Sequence, residues 1–439
     1  STTDFSSIYH KNASILCRQP VEIYGPGKSD KLSIKAGAQI SIQKDGDELT
    51  LKTSSSTKKY KRRIYIEGSI MTLKSVKRGN PAFNPSYSGV LEFTPQKSGL
   101  LIINEVPIED YIEKVVPSEM PSFGGIESLK CQAVAARTYA ISDMLANRFD
   151  YMGFYVNDST QSQVYNNEPR NNLTNEAVFE TQGTIMTYNG KPIDAKYYSA
   201  SAGTGVTYKD VWKAADGSSE NEPYFVTSSY IEDPNFTLPK SESDWLSFYK
   251  NTNLKGMDST SPYFRWRIAY TKAGLTNSLK KTLPKVYENY KKFTTIKKDN
   301  KTVKKLPEIG TIQDVKVLKR SEGGNVLSIS YLFDNNVEII LNGESTVRSS
   351  LRCGSDYTVE ETHTINYKNN ILRLGGLMPS SFFSFEKSGD NFTIYGGGYG
   401  HGVGMSQYGA MGLSKSGKEY KDILNTFYKN VKLEDTDSL

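Results

Sequence analysis

Val115-Val116-Pro117-Ser118-Glu119-Met120-Pro121 lies between two stretches of helical periodicity. In the stretch before it, apolar residues repeat at the spacing of one helix face: Ile108, Tyr111, Ile112 and Val115. Pro117 is expected to end that helix, because proline lacks the backbone N–H and its ring clashes with the preceding turn. The turn Gly124-Gly125 follows, and a longer helix is predicted over residues 126–147. Small and apolar residues form a narrow stripe along it: Leu129, Ala133, Ala136, Ala140 and Met144.

Strands are predicted on both sides of these helices, so the order of elements indicates an α+β fold. We expect antiparallel sheets with packed helices around a substrate groove. Four regions are distinguished: a β-rich N-terminal region (1–95), a first catalytic region (96–240), a lysine-rich helical insert (241–305) and a second catalytic region with a glycine-rich loop (306–439). Further predicted elements are a strand at 184–188, helices at 243–251 and 276–292, strands over 311–341 and a last helix at 418–429.

The composition indicates a globular protein. Of the 439 residues, 37% are hydrophobic and 23% are charged, which excludes disorder and coiled coil. The net charge of +6 fits an anionic polymer or a membrane surface as a partner without requiring either. The strongest charge asymmetry lies from Lys272 to Lys305, with eleven lysines against Glu288 and Asp299. That stretch is either a solvated face or a surface that meets a polyanion.

No stretch approaches the roughly 18 apolar residues that a membrane span needs. The N-terminal residues Ser1-Thr2-Thr3-Asp4 carry neither a basic nor an apolar targeting segment. Any signal peptide or anchor was therefore removed or never existed, and we expect contact with a membrane only through an anchor absent from this chain.

The cysteines and histidines do not form a metal-binding pattern. Cys17, Cys131 and Cys353 lie far apart without a CxxC, so at most one disulfide can form. The histidines form no HExxH motif, so we expect no metal and no cofactor. Cys131 lies in the predicted long helix and should be a small buried residue, which argues against a thiol peptidase that pairs it with His401.

Glu119 is the strongest candidate for catalysis. The flanking prolines stiffen its segment, and the apolar neighbours Val116 and Met120 should raise the pKa of its carboxyl group. A carboxylic acid that stays protonated near neutral pH can donate to a glycosidic oxygen. The alternative is a structural Glu119 that caps the next helix or pairs with Arg137.

The second candidate is a glycine-rich stretch, residues 396–412, with eight glycines in 17 residues. It lacks a phosphate-binding motif, but glycines allow positive φ and let a ligand lie against the backbone. His401 and Gln407 would then offer polar groups to sugar hydroxyls and N-acetyl groups, or His401 would simply bond to the backbone of a tight turn. Four aromatic residues are candidates for sugar stacking, although core packing is commoner: Tyr165, Tyr198, Trp212 and Tyr399.

Together these segments resemble the SpoIID/LytB family, in particular its peptidoglycan lytic transglycosylases. The resemblance runs from about Tyr87 to Tyr428, and its most specific parts are Val116–Pro121, Gln132–Ala140 and Gly400–Gln407. It implies that Glu119 is the catalytic acid/base. It further implies substrate-binding residues: Arg137, Tyr165, Tyr198, Ser199, Ser201, His401, Gly402, Met405, Ser406 and Gln407. Some family members hold zinc with cysteines and a histidine where this chain has Asn157, Gln161 and Ser162, so no metal is carried over.

The resemblance implies cleavage between N-acetylmuramic acid and N-acetylglucosamine, leaving a 1,6-anhydro end, on glycan strands stripped of stem peptides. An amidase partner, an extracytoplasmic location with a membrane tether, and a role in wall remodelling during sporulation are implied as well. Nucleic acid is not an expected partner. Two alternatives stay open. One is a non-catalytic wall-binding protein that stimulates an amidase. The other is a glycoside hydrolase whose second carboxylate is Asp110, Glu113, Glu127 or Asp158.

Overall fold

The computed structural model describes residues 7–169, 171–212, 218, 221–358, 363–372 and 377–438. The N-terminal stretch that we inspected for a targeting segment, residues 1–4, lies outside these ranges. The chain forms two compact units: Ser1–Asp194 with Lys432–Leu439, and Ala195–Val431. We call them the first and the second unit and describe each by itself.

Most of the first unit's N-terminal half is one antiparallel sheet, as the alternating sequence predicts. Its described strands, in chain order, are Tyr9–His10, Asn12–Cys17, Val21–Tyr24, Leu32–Ile34, Gln39–Asp45, Glu48–Lys52, Thr57–Lys61, Ile64–Leu73, Ser86–Gln96 and Gly99–Glu105. Alternate side chains, such as those of Ile40 and Ile42 or Leu91 and Phe93, are fully buried. One face of the sheet therefore supplies apolar core.

Three helices follow: α1 (Ile108–Glu119), α2 (Ile126–Ala146) and α3 (Asn172–Glu180). The α2 helix is confirmed close to its predicted bounds, and Asn147 ends it in a left-handed conformation with φ 50°. All ten residues from Cys131 to Ala140 are buried, so α2 is a central helix and the predicted narrow stripe is wrong. A small sheet completes the unit, with strands in the order Lys191–Pro192, Thr184–Tyr188 and Lys432–Asp435.

The second unit combines two larger sheets with five helices within its described ranges. The helices are α4 (Glu242–Lys250), α5 (Lys272–Asn289), α6 (Glu344–Ser350), α7 (Gln407–Lys415) and α8 (Tyr420–Phe427). One five-stranded sheet has the order Ile371–Leu372, Thr364–Asn366, Trp266–Thr271, Asn391–Gly396 and Phe383–Ser388. The other has the order Lys301–Thr302, Thr294–Lys298, Val337–Asn342, Val326–Phe333 and Ile312–Arg320. Two short ladders pair Tyr197–Tyr198 with Met405–Ser406 and Thr204–Gly205 with Ser228–Ser229.

The predicted helices at 243–251, 276–292 and 418–429 are confirmed as α4, α5 and α8, and the strands over 311–341 are found. The sequence interpretation missed the strand Trp266–Thr271, although its alternate residues Trp266, Ile268 and Tyr270 are buried and show the period of two. Its antiparallel pairing places it in the middle of a sheet. The α+β class is thus established by antiparallel sheets with helices packed on them.

The three cysteines are buried and free of disulfides, and Cys131 lies inside α2 as expected. Burial raises the pKa of its thiol well above the usual range, because the thiolate is poorly solvated there. In the part of the chain that the structure covers, we find no helix long and apolar enough to cross a bilayer.

Candidate functional site

Glu119 lies on the last turn of α1, and our expectation that Pro117 ends this helix is wrong. Proline removes the N–H that residue 117 would donate, but the turn keeps other bonds. The N–H of Met120 donates to the Val116 carbonyl at 3.0 Å, and Ser118 Oγ donates to the Lys114 carbonyl at 2.6 Å. The backbone of Glu119 is therefore helical, which fixes its side chain more firmly than a loop would.

The half-buried carboxyl group of Glu119 is held by the loop that follows α2. Its Oε1 accepts the backbone N–H of Val164 at 2.5 Å. One residue earlier, Ser118 Oγ accepts the N–H of Asn166 at 3.1 Å. Two successive side chains at the end of α1 thus hold the same short segment, and the carboxyl group has a defined place beside the buried Val116 and Met120.

That loop is tied together by its own polar residues. Ser162 Oγ accepts the N–H of Asn157 at 3.1 Å, and Asn157 Oδ1 accepts the N–H of Ser159 at 2.9 Å. Gln163 is fully buried, accepts the Tyr111 hydroxyl at 2.9 Å and donates to the Ala136 carbonyl at 3.1 Å. Asn157 and Ser162 therefore stabilise the loop by hydrogen bonds, at positions where the resemblance places metal ligands in some family members.

Arg137 has no exposed surface. Its Nε and Nη2 donate to the two carboxylate oxygens of Glu109 at 2.7 and 2.6 Å, and Nη1 donates to the Thr184 carbonyl at 3.0 Å. This bidentate pair satisfies the buried guanidinium group. The partner of Arg137 is thus Glu109, whereas the sequence had offered Glu119. A guanidinium group buried in this way has no surface for a sugar, so we do not retain Arg137 as a substrate contact.

Tyr165 is also buried. Its hydroxyl donates to Asn104 Oδ1 at 2.9 Å, and its ring lies 5.1 Å from that of Tyr111 and 6.2 Å from that of Tyr87. Burial raises its pKa, since the phenolate would be poorly solvated. Core packing accounts for Tyr165, so we do not retain it as a sugar contact.

In the second unit, the glycine-rich stretch forms a turn-rich segment that pairs with residues 197–200. Tyr197–Tyr198 and Met405–Ser406 form a parallel ladder, and the N–H of Tyr399 donates to the Ala200 carbonyl at 2.7 Å. Glycines with positive φ make these turns possible: Gly398, Gly400, Gly402 and Gly404. A Cβ atom on Gly404 would lie 2.0 Å from the Lys196 carbonyl oxygen. Gly398 and Gly404 admit the chain's own backbone, and Gly400 and Gly402 admit the side chains of Tyr198 and Phe382, whereas we had expected a ligand there.

The stretch does not remain a loop to residue 412, because α7 begins at Gln407. Ser406 is its N-cap, and Ser406 Oγ accepts the N–H of Gly409 at 3.2 Å. The serine in Met-Ser-Gln was the available signal for this helix start.

Sequence reasoning missed Asp258, a buried acid that bonds both Ser201 and Ser406 and so joins the Ser199–Gly205 segment to the start of α7. Asp258 has no exposed surface; its Oδ1 accepts the N–H of Ser201 at 2.9 Å, and its Oδ2 accepts Ser201 Oγ at 2.6 Å. Ser406 Oγ also donates to Oδ1. Burial raises the pKa of Asp258 to about 6, and the hydrogen bonds from Ser201 and Ser406 oppose that rise. Nothing in Gly256-Met257-Asp258-Ser259 marks it beforehand.

His401 uses both ring nitrogens on backbone. Its Nδ1 accepts the N–H of Val403 at 3.1 Å, so the proton is on Nε2, which lies 3.1 Å from the Tyr197 carbonyl oxygen and donates to it. Desolvation, aided by Lys196 and Arg348, lowers the pKa of His401 to about 3, so the ring is neutral at physiological pH. The backbone-bonding alternative for His401 is therefore the one observed. Its half-buried ring contacts Tyr198 at 5.4 Å and Trp212 at 4.9 Å between centroids.

The other residues of this unit that we predicted to contact the substrate differ in how exposed they are. Ser199 is half-buried. The buried ones are Tyr198, Ser201, Gly402, Met405, Ser406 and Gln407. Tyr399, which we considered for stacking, forms a half-buried aromatic group with Tyr263 at 4.8 Å, and Tyr263 also contacts Tyr408 at 6.3 Å. Among the predicted sugar contacts and stacking candidates of this unit, the side chains that stay partly exposed are those of Ser199, Trp212, Tyr399 and His401.

Across the described ranges, no group of three or more His, Cys, Asp and Glu side chains has an arrangement suited to a metal ion. Glu119 belongs to the first unit and the glycine-rich segment to the second. The groove that we expect between them stays a prediction.

Comparison with known proteins places the Glu119 region in a known family. A model of the SpoIID family, described as stage II sporulation protein, matches residues 96–188. The chain is 30% identical to the amidase enhancer of Bacillus subtilis (strain 168) over 329 residues, which is 73% of this chain but 40% of that protein. The chain thus spans well under two thirds of this relative.

Two further relatives are covered more fully. An uncharacterized protein of Brachyspira hyodysenteriae (strain ATCC 49526 / WA1) is 30% identical over 350 residues, 80% of this chain and 72% of that protein. Stage II sporulation protein D of Bacillus subtilis (strain 168) is 26% identical over 350 residues, 76% of this chain and 77% of that protein. These similarities extend over both units, and the family match contains the Glu119 turn, α2 and the loop that bonds Glu119. The chain belongs to the SpoIID family.

Proposed function

We propose that this protein is a lytic transglycosylase of peptidoglycan in which Glu119 is the single catalytic acid/base. The observation that carries the proposal is the half-buried Glu119 carboxyl group, fixed on the last turn of α1 by the Val164 N–H at 2.5 Å. A positioned carboxyl group can transfer protons in both directions within one active site. The resemblance of Ser118-Glu119-Met120-Pro121 to the family's catalytic motif supports the same assignment.

The reaction balances with one carboxyl group. Protonated Glu119 donates its proton to the glycosidic oxygen as the C1–O bond between N-acetylmuramic acid and N-acetylglucosamine breaks. The carboxylate so formed takes the proton of the C6 hydroxyl, whose oxygen bonds to C1 of the same sugar. The products are a 1,6-anhydro end and a free hydroxyl on the leaving sugar. Glu119 returns to its protonated state, and no water is consumed.

Of the four candidate second carboxylates, two are held in ion pairs and two lie on α1 at positions that separate them from Glu119. Asp158 pairs with the buried Arg78 at 2.8 Å, and Glu127 pairs with Lys130 at 2.7 Å. On α1, Asp110 precedes Glu119 by nine residues, or roughly 13 Å of helix rise at 1.5 Å per residue. Glu113 projects about 120° around the axis from Glu119 at 100° per residue. A glycoside hydrolase needs two carboxyl groups about 5–10 Å apart across one bond, and these positions favour the single-carboxylate reaction.

The products of digestion test this proposal. Glycan strands without stem peptides are digested with the full chain, and the fragments are weighed by mass spectrometry. We expect 1,6-anhydro ends. Each is about 18 Da lighter than the reducing end that a hydrolase releases, because it lacks one water molecule. Glu119→Gln should abolish cleavage while binding of the strands persists, and Glu113→Gln, on the same helix, should keep activity. Reducing ends, or full activity of Glu119→Gln, would refute the mechanism.

A second candidate function has support from one comparison. The relative from Bacillus subtilis that is 30% identical bears the name amidase enhancer. On this alternative the protein binds the wall and stimulates an amidase without cutting glycan. Mixing the chain with an N-acetylmuramoyl-L-alanine amidase decides between the two: stimulation that survives in Glu119→Gln, with no anhydro product from the wild type, favours the enhancer.

The setting of the reaction is part of the same proposal. An extracytoplasmic protein tethered to the membrane would meet septal peptidoglycan during sporulation, and an amidase would supply strands free of stem peptides. The relatives named stage II sporulation protein D support the sporulation setting.

A further inference from the structure

A cationic surface of the second unit plays no part in the proposed cleavage. Eight lysines from residue 280 to residue 305 are exposed: Lys280, Lys281, Lys285, Lys291, Lys292, Lys301, Lys304 and Lys305. On α5, Lys280, Lys281 and Lys285 lie within about 140° of the circumference at 100° per residue. Along the same two turns, from residue 279 to residue 286, the buried residues occupy the opposite side: Leu279, Thr282, Leu283 and Val286. The helix therefore directs its charge straight away from the core.

Tyr287 joins the helix to the segment that carries the next lysines. Its hydroxyl donates to the carbonyl oxygen of Lys304, and the Nζ of Lys291 lies 5.8 Å from the centre of its ring. The N–H of Val303 donates to the Ile296 carbonyl at 2.9 Å, which fixes the same segment against its strand. Lys280 lies about 20° around the axis of α5 from Tyr287, on the same side as Lys291 and residues 304–305, whereas Lys285 lies about 160° away.

The charge of this surface is largely uncompensated within its own stretch. From Lys272 to Lys305 there are eleven lysines and two acidic residues, an excess of nine positive charges. Some of the lysines do have partners: Lys272 pairs with Asp390 at 3.5 Å, and Lys297 pairs with Glu338 at 3.0 Å. Those two lie outside the exposed set. Concentrated like charge is unfavourable unless counter-ions or an anionic partner neutralise it.

The choice of residue indicates what kind of anion fits. The stretch contains no arginine, the residue suited to bidentate recognition of one phosphate or carboxylate. Lysine ammonium groups are point charges on flexible stems, which follow a line of anionic groups without fixed geometry. A membrane surface fits less well, because the apolar residues between the lysines pack against the core and are not available for insertion: Tyr287, Tyr290, Val303 and Leu306.

We propose that this lysine face, defined by Lys280, Lys291, Lys304 and Lys305, binds a linear polyanion, a polymer with repeated phosphate or carboxylate groups. Binding would release counter-ions condensed on the polymer, so affinity depends steeply on salt. The interaction is independent of Glu119 and of glycan cleavage.

The test measures binding of the full chain to sodium polyphosphate and to polygalacturonate from 50 to 200 mM salt. With four lysine contacts and a slope of about 0.7 per contact, affinity should fall about 50-fold over that range. Binding to either polymer supports the proposal and identifies the anionic group. Vesicles of phosphatidylglycerol form the third arm, and binding to vesicles without binding to either polymer overturns it.

A matched pair of variants distinguishes the effect of this surface on binding from the effect of the protein's net charge. Changing the four lysines of the face to Gln should weaken polymer binding at least tenfold at 50 mM salt. The control changes four exposed lysines of the first unit to Gln, with the same loss of charge: Lys11, Lys28, Lys31 and Lys35. Equal loss in both variants would overturn the proposal. Circular dichroism confirms folding, and unchanged cleavage of stripped glycan by the face variant distinguishes this result from a failure of the proposed enzyme activity.

Discussion

The Oγ of Ser201 donates a 2.6 Å hydrogen bond to Oδ2 of Asp258, a carboxylate with no exposed surface. The other oxygen of Asp258 accepts the hydroxyl of Ser406. One buried acid therefore joins the Ser199–Gly205 segment to the start of α7. A raised pKa of about 6 means that the protonation state of this acid changes within a mildly acidic range.

Asp258→Asn is expected to remove a pH dependence of stability. Between pH 3.8 and about 6 the folded protein holds a proton that the unfolded chain has lost, so stability falls as pH rises through this window and is level above it. The total is about 3 kcal/mol at roughly 1.4 kcal/mol per pKa unit. From pH 4 to pH 7 the variant should therefore gain about that much free energy of unfolding relative to the wild type.

Urea unfolding followed by tryptophan fluorescence measures this change. All three tryptophans lie in the second unit, so the signal reports on the unit that contains Asp258: Trp212, Trp245 and Trp266. An identical difference between variant and wild type at the two pH values would show that the pKa of Asp258 is not raised in the folded protein relative to the unfolded chain.

Gly404→Ala tests the close approach of two backbone segments. Gly404 has φ +75°, and an added Cβ would lie 2.0 Å from the Lys196 carbonyl oxygen. Gly417 is the matched control, with φ +84° and nothing within 4 Å of an added Cβ. Gly417→Ala should cost about 1 kcal/mol of unfolding free energy, from the conformation alone. Gly404→Ala should cost at least about 2 kcal/mol more, read by tryptophan fluorescence, because a backbone must move as well. Equal costs would mean that the segment relaxes freely.

The main elements of the fold were predictable because they depend on local patterns. Periodic apolar residues located α2, and the period of two located the N-terminal strands. The end of α1 was not predictable by the same means. Pro117 is a strong stop signal, and the helix continues because Ser118 Oγ and the Met120 N–H bond the preceding turn. Such bonds depend on the conformation already formed, so no propensity scale contains them.

For the candidate site, residue type and motif identified Glu119, but not what surrounds it. The partner of Arg137 is Glu109, which lies 28 positions away and carries no sequence signal of pairing. The sequence left His401 either as a sugar contact or as a backbone-bonding residue of a tight turn, and the structure places both of its nitrogens on backbone. Asp258 was missed because a single buried acid differs from a surface acid only in its tertiary environment. Pairing and burial at long range are decided by topology, which local patterns do not contain.

Glu109→Gln should destabilise the first unit strongly. It leaves the buried Arg137 guanidinium without its charged partner, and breaking such a pair from one side costs about 3–5 kcal/mol. Glu109 keeps 24% of its side-chain surface exposed, so we expect the lower end of that range. Circular dichroism during urea unfolding measures the loss. Asp45→Asn breaks the exposed pair with Lys59, where side-chain exposures are 64% and 59%, and should leave stability unchanged. Similar effects of the two substitutions would contradict a structural role for Arg137.

Ser118→Ala should impair turnover more than binding, if Glu119 is the catalytic acid. Ser118 Oγ donates to the Lys114 carbonyl and accepts the Asn166 N–H, so it holds the loop whose Val164 N–H bonds Glu119. Loss of this tie lets the carboxyl group move by a fraction of an ångström, and small misplacements of a catalytic group cost rate. On stripped glycan we expect kcat to fall about tenfold with KM little changed. Ser118→Thr keeps the hydroxyl and should restore most of kcat. A rise in KM alone, or failure of Ser118→Thr to restore turnover, would argue that the serine serves stability and does not position Glu119.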